Sequence, residues 1–197
     1  TTTMMNIIQP LQKDKPSGPR WAIAAKDVNL TGTWKPIVNS KFKSEYDEYL
    51  KCCGQNMIFR NLAVTVLGFV TEIIEHEGTS LAMSGTTPAG SWKRTLVSSG
   101  ANLTTDSFET IHVDVVDPDG DLVQVESYWQ DDGYTHTSIL RGKPRTGGGI
   151  FETRRYLDLG KDDANAKLVC ESIFYSSPSN NNKKFQNANV TWTFEKV

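Results

Sequence analysis

Residues 29–63 constrain the fold most, because they hold a short strand followed by two helical segments, and nearly every later segment has the pattern of a strand. Ser40 or Ser44 can cap the first helical segment. Gly54 ends it, since glycine tolerates the left-handed conformation found after many helices, and an apolar run at 57–62 predicts a second short helix. The apolar side chains of the first helix recur at spacings of three and four and share one face: Phe42, Tyr46, Tyr49 and Leu50.

Nine later segments have strand character and are separated by turn signals such as Asp-Pro-Asp-Gly at 117–120. Together with residues 33–38 they make ten predicted strands. Regularly spaced short strands favour a barrel or a sandwich, and a sandwich has no natural place for a helical pair. The sequence therefore predicts an all-β fold, a ten-stranded antiparallel up-and-down β-barrel with a short helix-turn-helix lid.

The length of 197 residues suits one barrel domain, predicted at 27–197, preceded by an N-terminal extension at 1–26. Prolines punctuate the extension and it has no sustained periodicity, which favours a flexible arm or the remnant of a targeting segment. In the alternative interpretation the extension covers one end of the barrel, with Trp21 and Ile23 as anchors.

Composition and spacing exclude several classes of function. A net charge of −2 gives no electrostatic basis for binding nucleic acid, and no apolar run approaches the roughly 18 residues of a membrane span. The three histidines lie on separate predicted strands without metal-ligand spacing, and the glycines at 147–149 lack the Lys-Ser/Thr of a phosphate loop. The sequence thus predicts no metal, no cofactor and no catalytic set, and it favours a binding protein over an enzyme.

Alternation within two predicted strands assigns side chains to the barrel interior, because neighbours along a strand point to opposite faces. The apolar face of the last strand contains Val190, Trp192 and Phe194. The mostly apolar face of the strand at 150–159 contains Phe151, Thr153, Arg155, Leu157 and Leu159. An arginine is therefore predicted to point inward among apolar neighbours.

This inward Arg155 requires a partner. A buried guanidinium without one is unfavourable by several kcal/mol, so it must meet a carboxylate, ordered water or an anionic ligand group. Glu126 and Glu171 are the candidates for an internal ion pair. The alternative is that Arg155 binds the acidic group of a ligand inside the barrel.

Several motifs resemble the intracellular fatty-acid-binding protein family of the calycin superfamily. Gly-Thr-Trp-Lys at 32–35 is followed by Phe-x-x-x-Tyr-x-x-Tyr-Leu-Lys-x-x-Gly at 42–54 and by Arg60. Residues 155–161 and 190–197 are similar to the family's eighth and last strands. The resemblance covers roughly residues 30–197 and implies a barrel that carries fatty acids, retinoids or other amphiphiles, usually in the cytosol.

By this resemblance, Arg155 occupies the position of one of the family's inward carboxylate-binding arginines. The last strand departs from the family pattern, which has Arg-x-Tyr where this chain has Trp192 and Phe194. Half of the usual carboxylate clamp is therefore missing, which points to a flatter, more aromatic ligand. Other calycin barrels include bilin carriers, bilin lyases and luciferases.

The sequence predicts a protein that binds and carries a small lipophilic or amphiphilic ligand (a fatty acid, a retinoid-like molecule or a pigment), with Arg155 gripping its acidic group. One alternative is a barrel enzyme that acts on its ligand, either a bilin (chromophore) lyase with a protein acceptor or a luciferase-type oxidation. The other is a barrel with an occluded interior that serves as an interaction module. Three cysteines without a disulfide framework, together with the resemblance, indicate the cytoplasm, or an organelle after removal of a targeting segment. The predicted ligand-binding residues are Arg155, Trp192, Phe194, Phe151, Thr153, Trp129, Phe59 and Tyr46.

Overall fold

A computed structural model describes residues 20–87, 90–100, 112–116, 121–141, 146–159, 166–177 and 185–197. These residues form two α-helices, α1 (Ser40–Cys52) and α2 (Met57–Val66), and ten strands. The strands are β1 (Gly32–Pro36), β2 (Thr71–Glu77), β3 (Ser80–Thr87), β4 (Gly90–Val97), β5 (His112–Val116), β6 (Leu122–Gln130), β7 (Thr135–Arg141), β8 (Ile150–Asp158), β9 (Lys167–Tyr175) and β10 (Ala188–Lys196). The predicted strand number and the helical pair after β1 are confirmed.

All ten strands lie in one antiparallel sheet, in the order β4-β3-β2-β1-β10-β9-β8-β7-β6-β5. The first and last strands of the chain are neighbours, with Pro36 opposite Phe194. Near the sheet edges, Ser98, which follows β4, forms a bridge with Ser127 of β6, and the Ser99 amide donates to the Ser127 carbonyl at 2.7 Å. These contacts make the sheet a nearly closed barrel, as the sequence predicts.

Local sequence sets the limits of α1. Its cap is Asn39 rather than Ser40 or Ser44, because the Asn39 side-chain oxygen accepts a hydrogen bond from the Phe42 amide at 2.8 Å. Gly54 follows the helix with a φ of +78°, and its left-handed backbone ends the helix as predicted.

Strand β2 is shorter than the sequence predicts, and β5 is described only in part. The strand predicted at 69–77 begins only at Thr71, because Leu67–Phe69 form a single 3-10 turn. The strand predicted at 108–116 is described over His112–Val116. Its first residues and the predicted turn at 117–120 lie outside the described residues.

Two hydrophobic clusters occupy the barrel, and strand β10 runs between them. The helix-end cluster contains buried side chains of α1 and the strand ends beneath it: Phe42, Tyr49, Leu50, Cys53, Leu67, Phe174 and Val190. The far-end cluster includes Leu30, Trp34, Ile74, Leu81, Met83, Leu96, Trp129, Leu168 and Phe194. Trp192 packs against both clusters, so its ring connects the two halves of the core.

The chain before β1 packs at the far end. Trp21, Ala24 and Val28 contact the far-end cluster, and the backbones of Trp21 and Trp129 exchange two hydrogen bonds of 2.9 and 2.8 Å. Ile23, the other predicted anchor, is partly buried. Residues 1–19 lie outside the described residues, so the division into an extension at 1–26 and a barrel at 27–197 stays a prediction. In the described parts of the chain, neither helix has the length and hydrophobicity needed to cross a bilayer.

The two helices are joined by an ion pair. Arg60 of α2 donates two hydrogen bonds to the Asp47 carboxylate of α1, at 2.9 and 2.6 Å. No side chain of α2 is buried, so this pair is the principal polar contact that holds α2 against α1. The hydrogen bond from Arg60 holds the pKa of Asp47 below its ordinary value of 3.8.

We expect Gly133→Ala to destabilise the protein by about 2 kcal/mol or more, because Gly133 has a φ of +93° and a Cβ there would lie 2.4 Å from the Ala25 nitrogen. The free energy of unfolding in urea measures this change. Gly148→Ala is the matched control: Gly148 has a φ of +77° but no neighbour within 4 Å among the described residues, so only backbone strain of about 1 kcal/mol applies. Equal losses at the two positions would contradict the close packing of Ala25.

We expect α2 to loosen when Asp47 loses its charge. A carboxyl group with a lowered pKa stabilises the fold above its ordinary range, and that contribution disappears as pH falls through the folded-state pKa. Amide hydrogen exchange of α2 should therefore accelerate in acid, and Asp47→Asn should accelerate it at neutral pH. Glu45→Gln is the control, because Glu45 pairs only with Lys41 of the same helix among the described residues. Unchanged exchange in Asp47→Asn would show that the pair does not hold α2.

Candidate functional site

One row of inward side chains crosses five neighbouring strands, and we call it the charged row. Directly opposed pairs join Trp129 of β6 to His136 of β7, and His136 to Arg155 of β8. The row continues from Arg155 to Cys170 of β9, and from Cys170 to Trp192 of β10. Opposed side chains on one face have Cβ atoms about 5 Å apart, so the register brings these five residues together inside the barrel.

The neighbouring inward row, one step toward the helices, is polar. This hydroxyl row consists of directly opposed side chains: Ser127, Ser138, Thr153 and Ser172. One step further stand Phe151 and Phe174, whose ring centroids are 4.8 Å apart. On β8 and β9, the hydroxyl row therefore lies between Arg155 and Cys170 on one side and the two phenylalanine rings on the other.

Arg155 is inward and buried, with 3% of its surface exposed. Its guanidinium donates to the Ser138 hydroxyl at 3.2 Å, and its Nε has no hydrogen-bond partner within the described part of the chain. Among the described residues, no carboxylate forms an ion pair with it. Within the described part of the chain, the Arg155 guanidinium is thus held by a hydroxyl group and not by a contacting carboxylate.

The internal ion pair that the sequence suggests for Arg155 is wrong for both candidates. Glu126 is paired with Arg20, and the Glu171 carboxylate accepts a hydrogen bond from the Tyr156 hydroxyl at 3.2 Å. Register explains the result: Glu171 is opposite Arg154, the outward neighbour of Arg155, and Glu126 is on the same outer face.

Two histidines lie in the interior beside Trp129. His136 is fully buried and makes an edge-on contact with Trp129 at 5.1 Å, while His76 stacks on the same indole at 5.1 Å. Burial lowers the pKa of His136 well below 6.5, and the positive charges of Arg155 and Arg94 act in the same direction. Burial also lowers the pKa of His76. Both rings are therefore neutral at physiological pH.

A second arginine faces the interior from β4. Arg94 is opposite Met83, which is buried in the far-end cluster, and its guanidinium lies 5.1 Å from the Trp92 ring centroid. Gly85 is opposite Trp92, and a Cβ at Gly85 would lie 2.5 Å from the indole, so glycine there makes room for the ring. Among the described residues, the interior therefore holds the guanidinium groups of Arg155 and Arg94, on strands far apart in the sheet.

Three interior residues of the site, His136, Arg94 and Cys170, are not identified by the sequence alone. The signal was present for Arg94, because Trp92, Arg94 and Leu96 alternate with polar residues along β4. His136 shares its face of β7 with Ser138 and Leu140. That face is too polar to be recognised as interior from the sequence. Among the described residues, no group of three or more His, Cys, Asp and Glu side chains could hold a metal ion.

The predicted aromatic residues meet around Trp192. Its ring makes edge contacts with Phe42 at 4.9 Å and Tyr46 at 4.8 Å, both on α1, and it stacks with Phe194 at 6.0 Å. The indole therefore packs directly beneath α1, in the position where the resemblance leads one to expect an arginine.

The other predicted site residues fall into two groups. Phe151, Thr153 and Trp129 are inward on β8 and β6, in the same face as Arg155. Phe59 is on α2, with 40% of its surface exposed, and the structure does not bring it to the charged row. Its role in ligand binding stays a prediction.

We expect Trp192→Ala to destabilise the protein by about 3 kcal/mol, because removal of the ring leaves a space between α1 and the barrel. Urea unfolding measures the loss, and amide exchange should accelerate throughout α1. Thr191→Ala on the same strand points outward and is exposed, so it serves as the control. Unchanged exchange in α1 would show that Trp192 does not support the helix.

Comparisons with known proteins bear on the fold. No protein-family model matches the chain, and no curated protein sequence matches it. The solved structure of the REP1-NXSQ fatty acid transporter is similar, with a TM-score of 0.57 and 16% identity over 85% of this chain and 96% of that one. The Y128F mutant of the same transporter gives a TM-score of 0.54 and 17% identity, covering 85% and 98%. The chain therefore has the fold of the fatty-acid-binding proteins, as its sequence motifs imply.

Proposed function

We propose that this protein binds and carries a lipophilic ligand with an acidic group, such as a fatty acid, inside its barrel. The observation that carries the proposal is the buried Arg155 guanidinium, which has a serine hydroxyl as its partner and no carboxylate among the described residues. A buried charge of this kind is stabilised by an anion that enters the interior.

The arrangement of the inward rows supports an amphiphile. The charged row contains Arg155, the hydroxyl row follows, and aromatic rings of β8, β9 and α1 lie beyond it. A ligand with one ionised end and a long apolar part matches this order, since its anion reaches the guanidinium while its chain contacts the rings. The two similar solved structures are those of a fatty acid transporter, which agrees with this class of ligand.

The alternatives receive less support. The two solved structures are those of a fatty acid transporter and not of a pigment-binding protein. They therefore give no support to a pigment as ligand, or to a chromophore lyase with a protein acceptor. The aromatic wall around Trp192 is nevertheless a feature that suits a flat ligand. We retain the cytoplasm or an organelle as the proposed compartment, because the three cysteines form no disulfide.

We expect Arg155→Leu to weaken binding of dodecanoate by about 10- to 100-fold, because a charge-assisted hydrogen bond to the carboxylate is lost. Isothermal titration calorimetry measures the affinity. Dodecanol, which has the same chain and no charge, should bind both proteins equally well.

Arg154→Leu is the matched control. Arg154 is the preceding residue on the same strand, points outward and pairs with Glu152 at 2.6 Å. Its replacement should leave the affinity for dodecanoate unchanged. If Arg155→Leu binds dodecanoate as tightly as the wild type, Arg155 does not bind the acidic group and the proposal is wrong.

A further inference from the structure

His136 is the most unusual polar side chain of the interior. Its surface is completely buried, and neither ring nitrogen has a hydrogen-bond partner among the described residues. A neutral imidazole carries one N–H donor and one acceptor nitrogen, and buried polar groups in proteins nearly always have partners. His136 is directly opposite Arg155, the residue that the proposed function assigns to the ligand's anion.

The groups that face His136 carry positive charge or none. Arg155 on β8, His76 on β2 and Arg94 on β4 each lower its pKa. Trp129 on β6 presents an uncharged ring. Cys170 on β9 has a raised pKa, chiefly because of burial, so its thiol is neutral.

Glu72, opposite Trp34 on β1, places a carboxylate on the inward face of β2. Its charge raises the pKa of Cys170, whereas the groups that shift the pKa of His136 are Arg155, His76 and Arg94, and all three lower it. The unpartnered ring of His136 therefore lies beside the Arg155 guanidinium, with no carboxylate among the groups that shift its pKa. Such surroundings favour an acceptor that carries negative charge.

We propose that His136 binds the acidic group of the ligand together with Arg155, and that it is the second donor of the head-group site. This inference rests on the proposed function and adds a residue to it. In this arrangement the second contact comes from the strand beside Arg155, and the last strand, which carries Trp192 and Phe194, contributes aromatic surface.

A protonation linkage follows. In the free protein His136 is neutral, because burial and the neighbouring cations disfavour its charged form. An anion beside the ring favours the charged form, so ligand binding raises the pKa of His136. By linkage, affinity for an anionic ligand rises as pH falls through the pKa of the complex, and the rise ends at the lower pKa of the free protein. Within that interval the affinity changes by up to about tenfold per pH unit.

The first test uses the wild-type protein, so that no variant has to fold. NMR titration of the histidine ring signals between about pH 5 and 8 should give a higher pKa for His136 with dodecanoate bound than without it, by about one unit or more. Dodecanol should produce no such rise. A pKa of His136 that is the same in the free and dodecanoate-bound proteins would overturn the inference.

Variants provide the second test. His136→Leu should weaken dodecanoate binding about tenfold and leave dodecanol binding unchanged, because a donor to the anion is lost. His136→Gln keeps an N–H but cannot become charged, so its affinity for dodecanoate should lose the pH dependence described above. His112→Gln is the control and should retain it, since His112 is exposed on β5.

The outcomes separate the two proposals. Binding that depends on Arg155 but is unaffected by His136→Leu, with no linked pH dependence, overturns the role of His136 and leaves the proposed function intact. Failure of the wild type to bind dodecanoate overturns both.

Discussion

Burial of a guanidinium inside a barrel is the constraint on which the interior of this protein depends. Arg155 is inward because β8 alternates strictly, and a shift of one residue would exchange it with Arg154 and move Phe151 to the outside. Burial of the apolar side chains therefore fixes the register, and Arg155 points inward as a consequence. The hydroxyl row beside Arg155 partly solvates the guanidinium, but hydroxyl groups supply no countercharge. The Arg155 guanidinium therefore has no contacting carboxylate among the described residues, and an anionic ligand would supply one.

The chain differs from the family pattern that it resembles in the side chains of the last strand that pack inside the barrel. Where the resemblance implies an arginine and a tyrosine on the last strand, Trp192 contacts α1 and Phe194 lies in the far-end cluster. These rings support the core by packing, which an arginine in the same place could not do without a partner. Positive charge is instead found on β4, in Arg94, and the ring beside Arg155 is the neutral imidazole of His136. The same barrel can therefore place its polar groups on different strands.

The sequence predicts features that depend on residues close together in the chain better than features that depend on contacts between distant strands. Strand number, the helical pair and the inward face of β10 follow from alternation and turn residues, which are local. The partners of Arg155 do not, because Glu126 and Glu171 could be assigned to a face only when the register between strands was known. The cap at Asn39 was missed since several polar residues near one another can each cap a helix, and only backbone geometry selects among them. His136 was missed because its face mixes polar and apolar residues.

The two ends of the barrel are closed by interactions of different strength. At the far end, the segment around Trp21 is paired with the Trp129 backbone and fits against Gly133, where a side chain has no room. At the helix end, α1 is anchored by buried aromatic rings, whereas α2 exposes most of its apolar side chains and is tied to α1 by the pair of Asp47 and Arg60. Local unfolding occurs most readily where the fewest buried contacts are lost. We therefore expect α2 to open at a lower free energy than α1, whose aromatic side chains are buried.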